Sequence, residues 1–393
     1  MKIAKIVPNE FMNESRDERE LTVCQQLGAE VIVFAKGKTG KNSVIEQIGG
    51  FTVYRCSTRP LGTKVFNTIN RSISLFTWAF CVRKVHPDIV SGHDLAGLTI
   101  GWISSWFMRK KPLFVYDSHE FELGRNAKRN QLKCVLIKLW EGFLIKRSAL
   151  VVMVNDSIAD EVKRIYRLKE RPLVVRNIPP KWKIDRKECE AVREKIEKEI
   201  GQGKLLLYHG SVTKERGIER LIKILTYDDS YHLFILGNAG EETYRNSLKQ
   251  YADRLGVAKR VLFHDAVPHQ ILWRYIGASD LSVMLLSGQS KSYYYGLPNK
   301  LFESIQAGVP FLSSDFPEFK RIIEGYHVGL TCNPENEMEI KKSLKKIFDE
   351  KAMKDFKNNT LIASNELCWE KEKEQLEKAY KALFKRRIAQ IRS

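Results

Sequence analysis

The chain has 393 residues, which suggests two or three domains of ordinary size. Hydrophobic residues make up 43% of the chain and charged residues 29%, as in folded proteins, and this excludes an intrinsically disordered chain. Lys and Arg exceed Asp and Glu by 19, and 12 of these excess charges lie in the first 180 residues. Such a surplus favours an anionic partner: a nucleic acid, a membrane surface or a phosphorylated substrate.

The seven cysteines are scattered, and no two have the CxxC spacing of a zinc or redox site. Their odd number argues against a disulfide framework and fits a reducing cytosol. The first apolar run is too short for a signal peptide, and the longest uncharged stretch, 95–108, is shorter than the roughly 20 residues that span a bilayer. We therefore expect a cytoplasmic protein, peripheral to the membrane if it binds one.

The first 180 residues alternate short apolar, β-branched runs with helical segments. The runs predict strands at Lys2–Val7, Glu30–Ala35, Ile89–Ser91, Leu113–Tyr116, Leu150–Val154 and Leu173–Val175. Nearly continuous apolar strands separated by helices are typical of a parallel sheet covered on both faces. We therefore predict a doubly wound, Rossmann-like α/β domain over residues 1–180.

The pattern breaks at Pro179-Pro180, which excludes regular structure there. A charged segment over 181–203 is predicted to be a linker, and a second alternating series follows it. This series predicts strands at Leu205–Tyr208, Leu233–Leu236, Val261–Phe263, Leu281–Leu285 and Pro310–Ser313. We predict a second doubly wound domain over 204–365 and a terminal amphipathic helix over 366–393.

Two such sheets joined by one linker are expected to face each other across a cleft. In open α/β sheets, ligands bind at the carboxyl ends of the strands, often at the N-terminus of a helix. The loop after each strand is therefore the place where site residues are expected.

The loop after the first strand of the second domain has the composition of a diphosphate site. It reads His209-Gly-Ser-Val-Thr-Lys-Glu-Arg216-Gly217 and leads into a helix. A glycine turn at a helix N-terminus directs backbone N–H groups, here from Gly210 onwards, at an anion that Arg216 can neutralise. An ordinary strand-to-helix turn with solvated charges would have the same composition.

The segment 292–312 has the most specific pattern in the chain. A tight turn at Pro298 precedes a helix that ends at Gly308, and Pro310 then opens a strand. Lys300 and the first-turn amides face an anion, while Glu303 can accept hydrogen bonds from a pair of sugar hydroxyls. As a simple partner of the helix dipole, Glu303 would contribute only about 0.3–1 kcal/mol.

These segments resemble the motifs of retaining nucleotide-sugar glycosyltransferases of the B-type, two-Rossmann-domain architecture, in the large family 4. That family has a Glu-x7-Glu motif running into a helix, followed by a Gly-x-Pro strand entry. Glu303 matches the second glutamate and Gly308-Val309-Pro310 matches the strand entry. Tyr295 stands where the family has the first glutamate, and Ser211 replaces an arginine that often follows the first glycine of the phosphate loop.

The resemblance implies roles for individual residues and for the terminal helix. Glu303 would bind the nucleotide ribose, Arg216 and Lys300 would bind the diphosphate, and the loops at Gly237 and Val267 would hold the base. The terminal helix would cross back to the first domain. The predicted nucleotide-sugar-binding residues are Gly210, Arg216, Gly237, Val267, Asn299, Lys300, Leu301 and Glu303.

Two histidines follow strands of the first domain, His93 and His119. A histidine just past a strand can polarise a sugar hydroxyl or transfer a proton, although a half-buried structural role is the alternative. We favour the structural role for His93. His119 matches the family's active-site histidine and is the predicted catalytic residue, with Asp117 and Glu120 as weaker candidates.

The positive charge of the first domain is concentrated between Arg55 and Arg147, where 16 basic residues face only 6 acidic ones. Bulky apolar residues are interleaved with them, at Phe66, Phe76, Trp78, Trp102, Trp106, Phe107, Trp140 and Phe143. Basic residues beside aromatic ones suit anionic lipid headgroups, whereas a buried helix face with solvated charges is the alternative. The sequence has no signature of a nucleic-acid-binding module, so nucleic acid is not a predicted partner.

The predicted reaction is transfer of a sugar from a nucleotide diphosphate sugar to a lipid-linked precursor of a cell-surface polysaccharide. Retention of configuration is implied by the resemblance. The sequence has no DxD motif, so we expect neither a metal ion nor another cofactor. Two alternatives stay open: a nucleotide-sugar 2-epimerase, and a catalytically silent partner of another transferase, which Tyr295 in place of the glutamate would fit.

Overall fold

The computed structural model describes residues 1–12, 15–37, 44–56, 67–106, 108–125, 130–288 and 291–392. The chain forms two compact units. Unit 1 comprises Met1–Arg176 together with Glu372–Ser393, and unit 2 comprises Asn177–Lys371. Within the described ranges, no helix is both long enough and apolar enough to cross a bilayer.

Unit 1 contains one eight-stranded sheet in the described residues. Its strands are β1 (Lys2–Val7), β2 (Glu30–Lys36), β3 (Val44–Ile48), β4 (Phe51–Cys56), β5 (Ile89–His93), β6 (Leu113–Ser118), β7 (Leu150–Met153) and β8 (Leu173–Val174). The order across the sheet is β3-β4-β2-β1-β5-β6-β7-β8. The pairs are parallel except for β3 and β4, which form an antiparallel hairpin at one edge.

Helices connect these strands. They are α1 (Ser15–Gln26), α2 (Asn67–Lys84), α3 (Asp94–Ser104), α4 (Gln131–Ile145) and α5 (Asp156–Tyr166). Two glycines let α3 pack close to the centre of the sheet: a Cβ on Gly92 would lie 2.3 Å from the backbone nitrogen of Leu98, and one on Gly97 would lie 2.6 Å from the carbonyl oxygen of Ile6. This close packing holds the start of α3 beside the end of β6.

Unit 2 contains a six-stranded parallel sheet. Its strands are β9 (Lys204–His209), β10 (Tyr231–Leu236), β11 (Val261–His264), β12 (Leu281–Met284), β13 (Phe311–Ser314) and β14 (Gly329–Cys332). The order β11-β10-β9-β12-β13-β14 is that of a dinucleotide-binding fold. In this fold the first three strands are added towards one edge of the sheet and the next three towards the other, so that the strand order reverses between β9 and β12. Ligand sites of this fold lie at the carboxyl ends of the strands next to that reversal.

The helices of unit 2 cover both faces of its sheet. They are α6 (Arg186–Ile200), α7 (Ile218–Ile224), α8 (Glu242–Arg254), α9 (His269–Gly277), α10 (Lys291–Tyr294), α11 (Asn299–Ala307), α12 (Pro317–Ile323), α13 (Glu337–Ile347) and α14 (Glu350–Glu366). The core on one face includes Leu206, Leu233 and Val283, whereas Leu207 and Phe234 point to the other face.

The terminal helix α15 (Trp369–Arg392) belongs to unit 1 from Glu372 onwards. Its Tyr380 hydroxyl donates to the buried Glu20, and its Arg387 donates to the carbonyl oxygen of Lys111 at 2.8 Å. Glu372 accepts from the Arg176 guanidinium at 3.0 Å. The apolar side of this amphipathic helix is buried here, at Leu376, Tyr380 and Leu383.

The predicted fold class, two doubly wound Rossmann-like domains, is confirmed. Every predicted strand coincides with an observed one, but β3, β4 and β14 were not predicted. The N-terminal segment of unit 1 ends at Arg176, slightly before the expected Pro180. The segment 181–203 is not a free linker, because α6 buries Ile196 and Ile200 in the core of unit 2.

Candidate functional site

A cavity of about 480 Å³ lies at the carboxyl ends of the strands of unit 2. The loops that follow β9, β10 and β11 form part of its wall, together with Leu272 of α9 and the first two turns of α11. Seven of the eight predicted nucleotide-sugar-binding residues line it: Gly210, Arg216, Gly237, Val267, Asn299, Lys300 and Glu303. Residues distant in sequence are therefore brought together as a single site.

Leu301 is the exception. Its side chain is completely buried in the apolar core with Phe302 and Ile305, and its backbone N–H donates to the carbonyl oxygen of Pro298 at 3.2 Å. Neither group is directed at the cavity. Leu301 therefore anchors α11 to the unit 2 core, which corrects the binding role expected from its place in the motif.

Two glycines let the phosphate loop and the loop after β10 meet backbone to backbone. A Cβ on Gly237 would lie 1.9 Å from the carbonyl oxygen of Gly210. A Cβ on Gly210, whose φ is +111°, would lie 2.2 Å from Cε of Lys300. A side-chain carbon fits at neither position, so glycine is required for the loops to close and for Lys300 to lie along the turn.

Lys300 and Arg216 bring positive charge into the cavity. The Lys300 Nζ lies 3.1 Å from the Tyr208 hydroxyl and 4.3 Å from the centre of its ring, and the Arg216 guanidinium lies 5.1 Å from the centre of the Tyr293 ring. Burial and, to a smaller extent, the charge of Arg216 lower the pKa of Lys300 to about 7. Among the described residues, no protein carboxylate is in direct contact with either side chain.

The Arg216 Nε is buried and has no acceptor among the described residues. A buried donor without an acceptor costs about 1–3 kcal/mol, and a lysine held near its pKa gains stability when an anion binds beside it. The two groups would therefore gain hydrogen bonds and charge neutralisation from the same incoming anion. Phosphate oxygens suit both of them.

Glu303 follows Lys300 by about one turn of α11 and carries the negative charge of the cavity. Its Oε2 lies 3.0 Å from Nε2 of His209, and its Oε1 lies 3.4 Å from Nε2 of His269. Burial raises the pKa of Glu303, but the hydrogen bonds and charge of the two histidines outweigh burial and hold this pKa at about 2. The carboxylate is consequently ionised and accepts hydrogen bonds.

Unit 1 contains a cluster of charged side chains around Lys5, which lies fully buried in the middle of β1. The Lys5 Nζ lies 2.9 Å from both Asp17 Oδ1 and Asp117 Oδ2, and it also donates to Glu20. Burial lowers the pKa of Lys5, but the three carboxylates outweigh it and raise this pKa well above its usual range. Arg16 adds a second cation, 2.9 Å from Asp117 Oδ1.

Within the described part of the chain, two overlapping triads of this cluster have the spacing of metal ligands: Asp17 with Glu20 and Asp117, and Asp17 with His93 and His119. The Lys5 ammonium lies among the three carboxylates, where a bound cation would otherwise be expected. The first triad is therefore already neutralised by the protein's own side chains.

His119, the predicted catalytic residue, follows β6 at the edge of this cluster. Its Nε2 lies 2.9 Å from Asp117 Oδ2, its backbone N–H donates to Asp94 at 2.8 Å, and its ring lies 3.8 Å from that of His93. With Nε2–H donating to Asp117, Nδ1 is the acceptor nitrogen of the neutral ring. Lys5 holds Asp117 in place, and Asp117 in turn orients the ring of His119.

His93 is buried more deeply than His119. Its Nδ1 lies 2.8 Å from Asp17 Oδ2. Burial lowers the pKa of His93, but the hydrogen bond and charge of Asp17 outweigh it, and the net shift is upward. These contacts fit the structural role favoured for His93, which packs against the ring of His119.

The sequence analysis did not predict several residues of the Lys5 cluster and of the unit 2 cavity: Lys5, Asp17, Glu20, Tyr208 and His269. Lys5 had a signal, since a lysine inside an otherwise apolar central strand must find buried partners. Its partners on α1, Asp17 and Glu20, had none, because only the fold brings them to Lys5. Asp117 on β6 was predicted only as a weaker catalytic candidate beside His119.

Two family models match the sequence. Residues 191–387 match Glycosyl transferases group 1, and residues 22–177 match Glycosyltransferase Family 4. The chain belongs to the group 1 glycosyltransferases. This membership confirms the family predicted from the motifs around Glu303.

The glycosyltransferase has similar proteins among curated sequences and solved structures. It is 24% identical, over 306 residues and 74% of each chain, to an uncharacterised glycosyltransferase of Methanocaldococcus jannaschii. Its fold is similar to that of HepE from Anabaena in complex with UDP, with a TM-score of 0.75 and 15% identity over 97% of this chain and 100% of that one. Sucrose-phosphate synthase from Thermosynechococcus elongatus has a TM-score of 0.71 and 16% identity over 98% and 99% of the two chains.

Substitution of Lys5 by Met is predicted to destabilise the protein by about 3–5 kcal/mol, because it leaves buried carboxylates without their cation. The matched control is Lys2→Met in the same strand. Lys2 pairs with Glu30 at the surface, with side chains 34% and 61% exposed, so its loss is expected to cost less than about 1 kcal/mol. Urea unfolding of the three proteins measures the difference. Equal midpoints for Lys5→Met and Lys2→Met would contradict the structural role of the cluster.

Proposed function

We propose that this glycosyltransferase takes its sugar from a nucleotide diphosphate sugar bound in the unit 2 cavity. The observation that supports this is the arrangement of charge there: two cations, Arg216 and Lys300, and an ionised Glu303 line the same cavity. The diphosphate would pair with the cations, and the ribose hydroxyls would donate to Glu303. HepE, which has a similar fold, is described in complexes with UDP and with UDP-glucose.

The proposed base-binding wall of the cavity is the pair of loops after β10 and β11. Gly237 and Val267 line it, and Asn238 joins the two loops by accepting from the backbone N–H of Ala266 at 2.9 Å. A planar base placed between these loops would leave the phosphates near the N-terminus of α11. Asn299 begins that helix, whose N-cap position is Pro298 and has no side-chain cap.

We propose that the transfer needs no metal ion or other cofactor. Arg216, Lys300 and the N-terminus of α11 would stabilise the charge that develops on the leaving diphosphate. Glu303 is the carboxylate among the residues that line the cavity, and both of its oxygens already face histidines.

The reaction proposed is transfer with retention. The bond between the anomeric carbon and the diphosphate oxygen breaks, and the acceptor oxygen bonds to that carbon on the face from which the diphosphate leaves. The acceptor's proton passes to a diphosphate oxygen, so no protein nucleophile is required. His119, oriented by Asp117, would polarise a sugar hydroxyl through Nδ1.

The acceptor proposed is a lipid-linked saccharide, a precursor of a cell-surface polysaccharide, at the cytoplasmic face of the membrane. The concentration of positive charge in unit 1 supports an acceptor with an anionic carrier. A catalytically silent nucleotide-sugar-binding partner is the second candidate function. Tyr295 favours it, because this position presents a phenol, 5.2 Å from the Tyr294 ring, where the family has a carboxylate.

Thermal shift with UDP, GDP, ADP, CMP and dTDP, measured without and with EDTA, tests donor binding. One nucleotide at 100 times its Kd should stabilise the protein by about 2.7 kcal/mol. Arg216→Ala should abolish that shift, whereas Lys214→Ala, an exposed lysine of the same loop, should retain it. Absence of a shift with every nucleotide, or its loss on adding EDTA, would contradict a metal-independent donor site.

Binding of the selected nucleotide should weaken as the pH rises above about 7. The free Lys300 has a pKa of about 7, and only its ammonium form pairs with the diphosphate. Its protonated fraction, and with it the affinity, should fall about tenfold per pH unit until the higher pKa of the bound state is reached. In Lys300→Arg the charge persists, so titration calorimetry between about pH 7 and 9 should give a flat profile. A flat wild-type profile would overturn this assignment of charge.

His119→Ala should retain nucleotide affinity and lose sugar transfer by about 100-fold or more. Product analysis with a saccharide acceptor, and without one, separates the alternatives. Epimerised nucleotide sugar formed without acceptor would identify an epimerase, and nucleotide binding without any turnover by the wild type would identify a silent partner. Full transfer activity in His119→Ala would remove this residue from the mechanism.

A further inference from the structure

Helix α4 of unit 1 exposes an apolar stripe to solvent. Leu132, Val135, Leu136 and Leu139 are between 52% and 66% exposed. Their spacing of three and four residues places them on one side of the helix. A surface helix of a globular protein normally turns such a side towards the core, so the orientation of α4 is the reverse of the usual one.

The opposite side of α4 is fixed to unit 1. Glu141 is buried there and accepts from the hydroxyls of Tyr116 at 2.7 Å and Tyr166 at 2.6 Å. Leu144 and Ile145 are buried on the same side. Rotating the stripe inwards would break both hydrogen bonds and expose these two side chains, so the stripe belongs on the surface.

Neighbouring helices extend the apolar surface. Trp140 of α4 donates to Thr99 of α3 at 2.9 Å, which sets the two helices side by side. Beyond α3, Phe76 and Phe80 of α2 are 53% and 56% exposed, and Phe76 contacts the exposed Trp106 at 6.4 Å between ring centres. Of the aromatic residues expected at such a surface, Trp78 is instead buried in the core, and Phe66 and Phe107 lie outside the described residues.

The charge on these helices has a single sign at the surface. The acidic residues of α2, α3 and α4 are Asp94 and Glu141, and both are buried. Exposed basic residues lie on the same helices or in the turns after them: Lys84, Arg109, Lys110, Lys133, Lys138 and Arg147. Lys84 and Arg147 lie against aromatic rings, 4.8 Å from Phe80 and 3.7 Å from Phe143.

We propose that the α4 stripe, with Phe76, Phe80 and Trp106, is a docking surface for an anionic lipid bilayer. Exposed leucine and aromatic side chains would enter the boundary between headgroups and acyl chains, and the basic residues around them would contact anionic headgroups. A second copy of the chain is a poorer occupant, because pairing two such faces would bring Lys133 and Lys138 towards like charges. The surface goes beyond the proposed function, since bilayer binding needs no donor nucleotide.

Vesicle sedimentation without nucleotide tests the proposal. The wild-type chain should pellet with vesicles of equal parts phosphatidylglycerol and phosphatidylcholine, and about tenfold less with phosphatidylcholine alone. The triple variant Leu132→Ser, Leu136→Ser, Leu139→Ser should lose binding to the mixed vesicles by about tenfold or more. The matched control is Leu361→Ser with Ile362→Ser on α14, which removes exposed apolar side chains from unit 2 and should bind like the wild type.

Nucleotide thermal shift on the triple variant verifies that it folds and keeps its donor site, so failure here is distinguishable from failure of the nucleotide-sugar proposal. A second variant, Lys133→Glu with Lys138→Glu, should lose the preference for the anionic vesicles while retaining the apolar stripe. Wild-type binding by the triple variant would overturn the proposal. So would a wild-type chain that stays in solution with both kinds of vesicle, or a triple variant whose only change is the loss of a dimer.

Discussion

The ammonium group of Lys5 joins parts of unit 1 that are far apart in the sequence. It bonds β1 to α1 through Asp17 and Glu20, and to β6 through Asp117. Glu20 in turn accepts from Tyr380 of α15, so the terminal helix is attached to the same group. Removing these charged groups from water costs several kcal/mol for each ion, and their mutual pairing offsets that cost. The arrangement of these elements is therefore tightly coupled, and His119 takes its position from them.

The two units differ in how their buried cations are paired. In unit 1, carboxylates and cations are in direct contact, and the pKa of Asp117 is well below its usual range, burial being outweighed by Lys5 and Arg16. In unit 2, the cations of the cavity are kept from such partners: Lys300 has a lowered pKa, and Arg216 holds a buried nitrogen without an acceptor. Charges that pair within the protein give rigidity, whereas cations without a contacting carboxylate are left available to a ligand of opposite charge.

The sequence predicts most of this architecture because central parallel strands are apolar on both faces, as in β9. The hairpin β3–β4 lacked that signal, since β3 is almost entirely exposed and two of its five residues, Glu46 and Gln47, are polar. The cavity residues could be predicted because glycines, a helix start and a charged side chain lie together in short segments. Leu301 shows the limit of this reasoning: a motif position gives proximity to a site, while helical geometry decides that its side chain faces the core. The pairing of Lys5 with Asp117 lay beyond sequence reasoning, because 112 residues separate the two and only the fold brings them together.

Unit 1 is discontinuous in the chain, and this has a consequence for its biosynthesis. Ribosomes extend the chain from its N-terminus, and domains generally fold as units as they emerge. Unit 2, being contiguous from Asn177 to Lys371, has all of its residues available before unit 1 receives Glu372 and the rest of α15. During that interval the Glu20 carboxylate lacks Tyr380, and the side of unit 1 that α15 will cover is open to water and to chaperones. Residues 1–176 are thus translated before unit 2, yet the unit to which they belong is completed after it.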